Sequence, residues 1–341
     1  MGTRSERQKL GGLVIGLAIA LPVIVFIISL NIGSYPISPR TLLKVILSAL
    51  SPSSQPDVPA ALKDIVFQIR LPRLLLAVAV GASLAVSGAS LQALFKNPLV
   101  NEYILGISSG SAFGAAVSLV FLGKGFPPQI VAFIFGIAAV LGVLVIARSA
   151  GSHIVALLLT GVIVSAFFSA LLALVEFFAS PYALQALFYW IMGNMSLATW
   201  KDLALSVPLM ALGVILLVLM RWRMNVLSMS DEEAKALGLS VRREKILVIV
   251  GCTLATASAT AVTGIIGWVG LVVPHLVRMM VGVDNRRVIP LSVSLGASFL
   301  LAADALTRSL SAFEVPLGIF TSLIGIPFFL FLLKRSRRIW L

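Results

Sequence analysis

The chain has one cysteine, Cys252, and two histidines, His153 and His275, in 341 residues. A lone cysteine forms no intrachain disulfide, and so few soft ligands make a transition-metal centre a poor reading. Acid is scarce as well, with 13 Asp and Glu against 26 Lys and Arg. Charged residues of both signs make up 11% of the chain, against about 25% in soluble domains. That is too little charge to cover a soluble globule. Water-soluble enzymes, disordered chains and disulfide-stapled secreted domains are excluded. No G-x-x-x-x-G-K-[ST] stretch occurs, so any ATP-driven role needs a separate ATPase subunit.

What is abundant is apolar. Hydrophobic residues make up 59% of the chain, and the mean hydropathy is +1.07. At about 20 apolar residues per span, the supply is enough for roughly ten spans. The runs fall at 10–31, 71–94, 103–122, 129–147, 155–178, 203–220, 246–264, 266–281, 288–306 and 315–333. The expected fold is all-α and polytopic, a single membrane domain over 1–341. The seventh and eighth runs are nearly continuous, and only Gly264 and Gly267 mark a turn between them. The first run is long enough to span and lacks a small-residue cleavage site, so it reads as a span and not a signal peptide.

Ten spans put both termini on one side. The opposite side carries only Arg40, Lys44, Lys63, Arg70, Arg73, Lys124, Lys201 and Arg308 of the 26 cations. The positive-inside rule therefore predicts cytoplasmic termini. The net charge of +13 is then mostly topology, and nucleic acid is not an expected partner.

Four segments between the runs are informative. The outer loop 32–69 holds a short helix candidate at Ser38 to Leu43, with Pro39 at its first position, and a Pro/Ser-rich stretch at 51–59. Residues 181–193 form an apolar outer segment too short to span, with Tyr182, Tyr189 and Trp190 suited to the interface. Residues 94–102 form a tight inner loop. The inner loop 221–245 carries a capping box, in which Ser230 caps and Glu233 reaches back. Its helix runs through Asp231, Glu232, Glu233, Ala234 and Lys235 to Leu237, with Gly238 as a left-handed stop. Ser240 is the expected cap of the next helix. Leu227, Ala234 and Leu237 are the expected docking side chains.

Arg70 and Arg73 flank the start of the second run, where two cations would oppose a helix dipole. A role in binding acidic groups on a partner or substrate would explain them, lipid-headgroup contact is the alternative, and Arg308 lies on the same side. Asp304 stands four residues before Arg308, in reach of an ion pair. A proton relay through Asp304 or Glu176 is the weaker reading, since both lie near span ends. Gly106-Ile107-Ser108-Ser109-Gly110 matches a nucleophile pattern but lacks its strand–turn–helix context. Gly106, Gly110 and Gly114, and Gly81, Ala85 and Ala89, form small-residue stripes of the kind that let helices approach closely.

Together these segments resemble one family. The resemblance rests on Arg70-Leu71-Pro72-Arg73, Gly88 to Leu99, Leu105 to Gly110, Tyr189 to Gly193, Gly267 to Arg278, Ala303-Asp304 and Pro316-Leu317-Gly318, in that order. It is to the permease subunit of type II ABC importers, the FecCD-like family that moves iron–siderophores, haem and cobalamin. The resemblance implies ten transmembrane helices per subunit and a homodimer in the cell membrane. It also implies two cytoplasmic ATPases that use ATP and Mg, and an external substrate-binding protein. No cofactor is expected on this chain, and no bond chemistry. Arg70, Arg73 and Arg308 match outer arginines that dock the binding protein. Asp231, Glu232, Glu233, Ala234, Leu237, Gly238 and Leu239 match coupling helices that sit in an ATPase cleft. Asn97 and Leu99 match one part of the cytoplasmic gate, and Ile154 and Val155 stand at the other. A related cobalamin permease has small hydroxyl residues at the latter two positions, and Asn101-Glu102 replaces a common acid–Pro pair. The transport cavity is expected between spans two, three and five and segment 181–193. The competing class is an ion- or proton-coupled secondary transporter, which would show buried acids near mid-span.

Overall fold

The structure is a computed structural model, and it describes Gly16 and residues 20–33, 35–50, 58–149, 154–310 and 314–335. Much of the first run before Ala20, most of the 51–59 stretch and His153 lie outside the described residues. Among the described residues all regular structure is helical. In chain order the helices are α1 (Ala20–Asn31), α2 (Pro39–Leu50), α3 (Ala60–Leu94), α4 (Ile107–Leu122) and α5 (Pro128–Ser149). Then come α6 (Ile154–Phe178), α7 (Pro181–Ile191), α8 (Trp200–Leu219), α9 (Arg221–Leu227) and α10 (Asp231–Ala236). The last four are α11 (Val241–Thr263), α12 (Val269–Val281), α13 (Asn285–Leu310) and α14 (Leu317–Arg335).

Six helices, α3, α5, α6, α8, α11 and α13, are long and apolar enough to cross a membrane. Shorter apolar helices, α1, α4, α12 and α14, occupy the other four expected runs. The break between the seventh and eighth runs falls at the glycines. α11 ends at Thr263, and Gly264 takes φ +71°, where a Cβ would run into Trp190 O.

α3 is the centre of the bundle, packed against α8, α11, α12 and α13. Its most apolar window is 83% buried, against 28% for α6 and α8, which therefore lie at the periphery with apolar faces outward. Small residues allow this packing. Gly81 on α3 and Gly296 on α13 each touch the other's backbone, and a Cβ on Gly88 would enter Gly270 O on α12. A Cβ on Gly110 or Gly114 would lie 2.6 Å from Phe135 O or 2.5 Å from Val131 O, which seats α4 on α5. The Gly106–Gly110 stretch is thus a helix start packed on neighbours, with no strand beside it.

α3 begins at Ala60, not at Leu71 as the apolar run suggests. Pro72 has no N–H to give Gln68, and the ladder widens from Ile65 to Arg70, with Leu71 N–H reaching Val66 O. Arg70 and Arg73 therefore lie well inside a continuous helix. The expectation of two cations opposing its dipole is wrong, because the dipole's positive end is several turns away. α2 is also longer than expected. Ser38 Oγ accepts the Thr41 N–H at 3.2 Å, and Pro39 opens the helix.

Candidate functional site

Two ends of the bundle carry the polar residues. At one end, Arg70, Arg73 and Arg308 converge, and all three are about 5% exposed. Arg73 Nε donates to Asp304 Oδ1 at 2.7 Å, and Arg308 Nε donates to Asp304 Oδ2 at 2.8 Å. Arg73 also donates to Glu314 Oε2 at 2.7 Å. Arg308 donates to Ile32 O at 2.6 Å and Ser29 O at 3.2 Å. Arg70 donates to Leu30 O at 2.5 Å and to Tyr35 O. The last carbonyls of a helix have no partner within it, and cations there also complement its dipole. Arg70 and Arg308 fill that role for α1.

The arginines expected to dock the binding protein thus have a structural role within the chain. The three arginines are not free outward cations. They are buried, paired with carboxylates and backbone oxygens of their own chain, and they tie α1, α3 and α13 together. The (i, i+4) pairing of Asp304 with Arg308 is as read from the sequence. Glu314 and the α1 carbonyls were not foreseen, since the Arg73–Glu314 partners stand 241 residues apart.

At the other end, the 221–245 loop folds as two short helices and a tight stop. Ser230 N–H donates to Glu233 Oε2 at 2.9 Å, and Glu233 N–H donates to Ser230 Oγ at 3.2 Å. The Ser230 N–H and hydroxyl, both donating to Glu233 Oε2, hold that carboxyl below its ordinary pKa. Gly238 takes φ +83° and donates to Lys235 O, while Leu239 N–H reaches Ala234 O, the two bonds of a Schellman stop. Lys245 Nζ bonds both Asp231 oxygens, at 2.8 and 3.0 Å, and so lowers the Asp231 pKa. Arg223 pairs with Glu244 at 3.0 Å. Asn225 Nδ2 donates to Asp284 Oδ1 at 2.7 Å and lowers the Asp284 pKa, and Asn225 Oδ1 accepts the Asn285 N–H. Lys96 Nζ donates to Met229 O. α10 is therefore fastened to α11, α9 to α11 and α13, and the preceding turn to the loop after α3.

The exposed part of this face includes Asp231, Glu232, Glu233, Met229, Leu237 and Gly238. Leu237 is 58% exposed, but Leu227 and Ala234 are buried against the bundle. Those two are floor and not docking surface. Ser240 makes no side-chain capping bond to α11, contrary to expectation.

The gate residues divide. Asn97 Oδ1 accepts the Leu99 N–H at 2.9 Å, a turn that pushes Leu99 outward. Ile154 packs on the core at the start of α6, and Val155 is exposed. Among the described residues no hydrogen bond joins the two halves. Between them in sequence lies Glu102, wholly buried against Gly270 at the start of α12. Its Oε1 accepts the Gly270 N–H at 3.4 Å, its Oε2 has no partner, and burial raises its pKa to about 7.

The short outer segment is a helix, α7, capped by Ser180 Oγ to Ala183 N–H at 3.3 Å. With the 194–198 turn it walls a cavity of about 490 Å³ lined by Leu76, Tyr182, Tyr189, Trp190, Asn194 and Val262, among others. Gln129, Asp202 and Thr263 from α5, α8 and α11 complete the wall of this pocket within the single chain.

With this geometry in place, comparison with known proteins is specific. The FecCD transport family matches residues 21–335. A protein of Helicobacter pylori assigned as an iron chelatin transport system permease is 41% identical over 278 residues, covering 82% of this chain and 85% of that one. The hemin transport system permease protein of Yersinia pestis is 37% identical over 333 residues, covering 95% and 96%. A solved inward-facing conformation of a transporter assigned to the metal-chelate ABC type is 35% identical, with a TM-score of 0.83 over 96% of this chain and 99% of that one. The family match and the extent of the identity agree: this chain belongs to the FecCD transport family.

Proposed function

We propose that the chain is the membrane permease subunit of an ABC importer that takes up a metal chelate delivered by an external binding protein. The observation that carries this reading is the likeness to the solved metal-chelate type transporter over nearly the whole of both chains. The relatives' names range over iron chelates, haem, cobalamin and molybdate, so the cargo class is a chelate or a related anion. The subunit crosses the cytoplasmic membrane ten times, with both termini inside, and works as a homodimer with two cytoplasmic ATPases. ATP and Mg act on those ATPases, and this chain catalyses no bond chemistry.

The capped α10 face, with Leu237 at its tip, seats in the ATPase. The Asp231–Lys245 bond to α11, and the bond of the preceding turn to the Lys96 loop, carry ATPase closure into the spans. Leu99 and Val155 meet their counterparts from the second copy to close the inner gate. The buried arginine cluster fixes the 32–38 segment, and the exposed Arg40 and Lys44 of α2 face the acidic groups of the binding protein. The test is uptake into liposomes by the purified complex. ATP-dependent uptake that requires the ATPase and the binding protein is expected. Uptake that persists without the ATPase and follows a proton gradient would refute it in favour of a secondary transporter.

A further inference from the structure

At the α10 end, a second group of cations has no role in the coupling just described. Arg221 and Trp222 open α9 directly after α8 ends, and Arg286 and Arg287 stand in the first turn of α13. With Pro290 and Leu291 they line a groove of about 530 Å³. The three arginines and Trp222 are exposed. None of the five ion pairs among the described residues uses Arg221, Arg286 or Arg287.

The acid on which Arg286 and Arg287 act is Asp284, and it is already engaged. It accepts from Asn225 Nδ2 and from the Arg286 N–H, and the charges of Arg286 and Arg287 also act on it. One carboxylate is thus shared by the two α13 guanidiniums, Arg286 and Arg287. The two arginines of α13 also stand at a true helix N-terminus, where cations are unfavourable and an anion is favoured. Positive-inside sorting asks only for cations somewhere at this end. It does not ask for three of them around one groove.

The groove also has an apolar side. Pro290 and Leu291 lie a turn deeper than the arginines. Leu212, Ile215 and Leu219 are exposed along α8, leading down from Arg221. Trp222 stands at the level where indoles favour the membrane interface. A cationic mouth above an apolar flank fits an amphiphile better than a free anion or a polar protein surface.

We propose that this groove binds the anionic headgroup of a phospholipid of the inner leaflet, with its acyl chains along α8 and α13. The proposal requires that the chain span a membrane with this end inward, and it is independent of the cargo. The probe is phosphatidylglycerol, with phosphatidylcholine as the neutral comparison. It is read by native mass spectrometry of the purified complex and by the lipid-dependent rise in its thermal midpoint.

The wild-type complex should retain phosphatidylglycerol and be stabilised by it more than by phosphatidylcholine. At about fivefold per cation near a charged surface, Arg286→Gln with Arg287→Gln should weaken retention roughly thirtyfold. Arg221→Gln alone, a milder change that guards against misfolding of the double variant, should weaken it about fivefold. Arg242→Gln with Arg243→Gln, which removes equal charge elsewhere at this end, should leave it unchanged. An equal loss in that control would overturn the site in favour of diffuse charge. Competition by millimolar inorganic phosphate would show a free-anion site, which also overturns the proposal. So would unchanged lipid retention together with loss of the ATPase from the complex.

Discussion

Replacing Asp304 by Asn tests whether the arginine cluster holds the bundle or faces outward. Asp304 is wholly buried and accepts charge-assisted hydrogen bonds from both Arg73 and Arg308, at 2.7 and 2.8 Å. Asparagine keeps the volume but removes the charge, and it turns an N–H₂ toward one guanidinium. Removing one partner of a buried ion pair costs about 3–5 kcal/mol, because the remaining charge stays buried. Arg73 keeps Glu314, and Arg308 keeps the carbonyls of Ser29 and Ile32, so the lower end applies. On the scale of about 2.1 cal/mol/K per residue, a loss of about 3 kcal/mol in a chain of this length lowers the thermal midpoint by roughly 4 °C. The assay is thermal unfolding of the purified complex in detergent at low and high salt. A buried pair is little screened, so the loss should be nearly the same at both. Glu314→Gln, at a partly exposed carboxylate, should cost less. If Asp304→Asn leaves the midpoint within a degree while binding-protein affinity falls in a salt-sensitive way, the arginines act outward and the structural reading is wrong.

Gly88→Ala gains about 1 kcal/mol of helix propensity, but its methyl enters Gly270 O, and overpacking of this kind costs about 1–3 kcal/mol. Expression and thermal midpoint should fall, whereas Gly267→Ala, where a methyl meets open space, should leave both unchanged. The Glu102 carboxyl is raised to about 7 by burial, so the folded chain binds this proton more tightly than the unfolded chain. Stability should therefore decrease as pH rises from about 4.5 to about 7, by about 3 kcal/mol in all, and then level off. Glu102→Gln should remove that component from midpoints measured between pH 5 and 8, and an unchanged profile would disprove it. Leu237→Asp, at an exposed tip, should keep the midpoint and lose at least tenfold of ATP-dependent uptake. Ala234→Leu, at a buried position, should instead lower the midpoint.

Hydropathy located most of the helices, the glycines the break at Gly264, and the capping residues α10, because each depends on neighbours a few residues apart. The capping box needs only Ser230 and Glu233 at the right spacing. The Gly238 stop needs only a residue without a Cβ at φ +83°. Burial was harder to read. Leu227, Ala234 and Leu237 look alike as apolar loop residues, and only the packing of α9 and α10 on the bundle separates floor from tip. Glu102 carried a signal, an acid where the resemblance led to the expectation of proline, but nothing local showed that Gly270 would close over it.

The same electrostatic rule misled at one site and holds at another, and the difference lies in where the helix begins. Arg70 and Arg73 looked like cations opposing a dipole because the apolar run starts at Leu71. The residues before it, including Lys63, Asp64 and Gln68, read as loop. In the structure those residues continue the helix back to Ala60, and the widened turn around Pro72 lets them do so. The two arginines then lie mid-helix, where the dipole says little; Asp304 and Glu314 balance Arg73 across the bundle, and Arg70 is held by the Leu30 and Tyr35 carbonyls. At Arg286 and Arg287 the start is fixed locally. Asp284 takes the Arg286 N–H at 2.9 Å, and the helix follows at once. The unfavourable placement is real there, and among the described residues only the already engaged Asp284 offsets it, without an ion pair. A cation's position in the apolar pattern is therefore weak evidence by itself. Its distance from an established helix start, together with the partners that start leaves unfilled, separates a structural arginine from one that awaits a ligand.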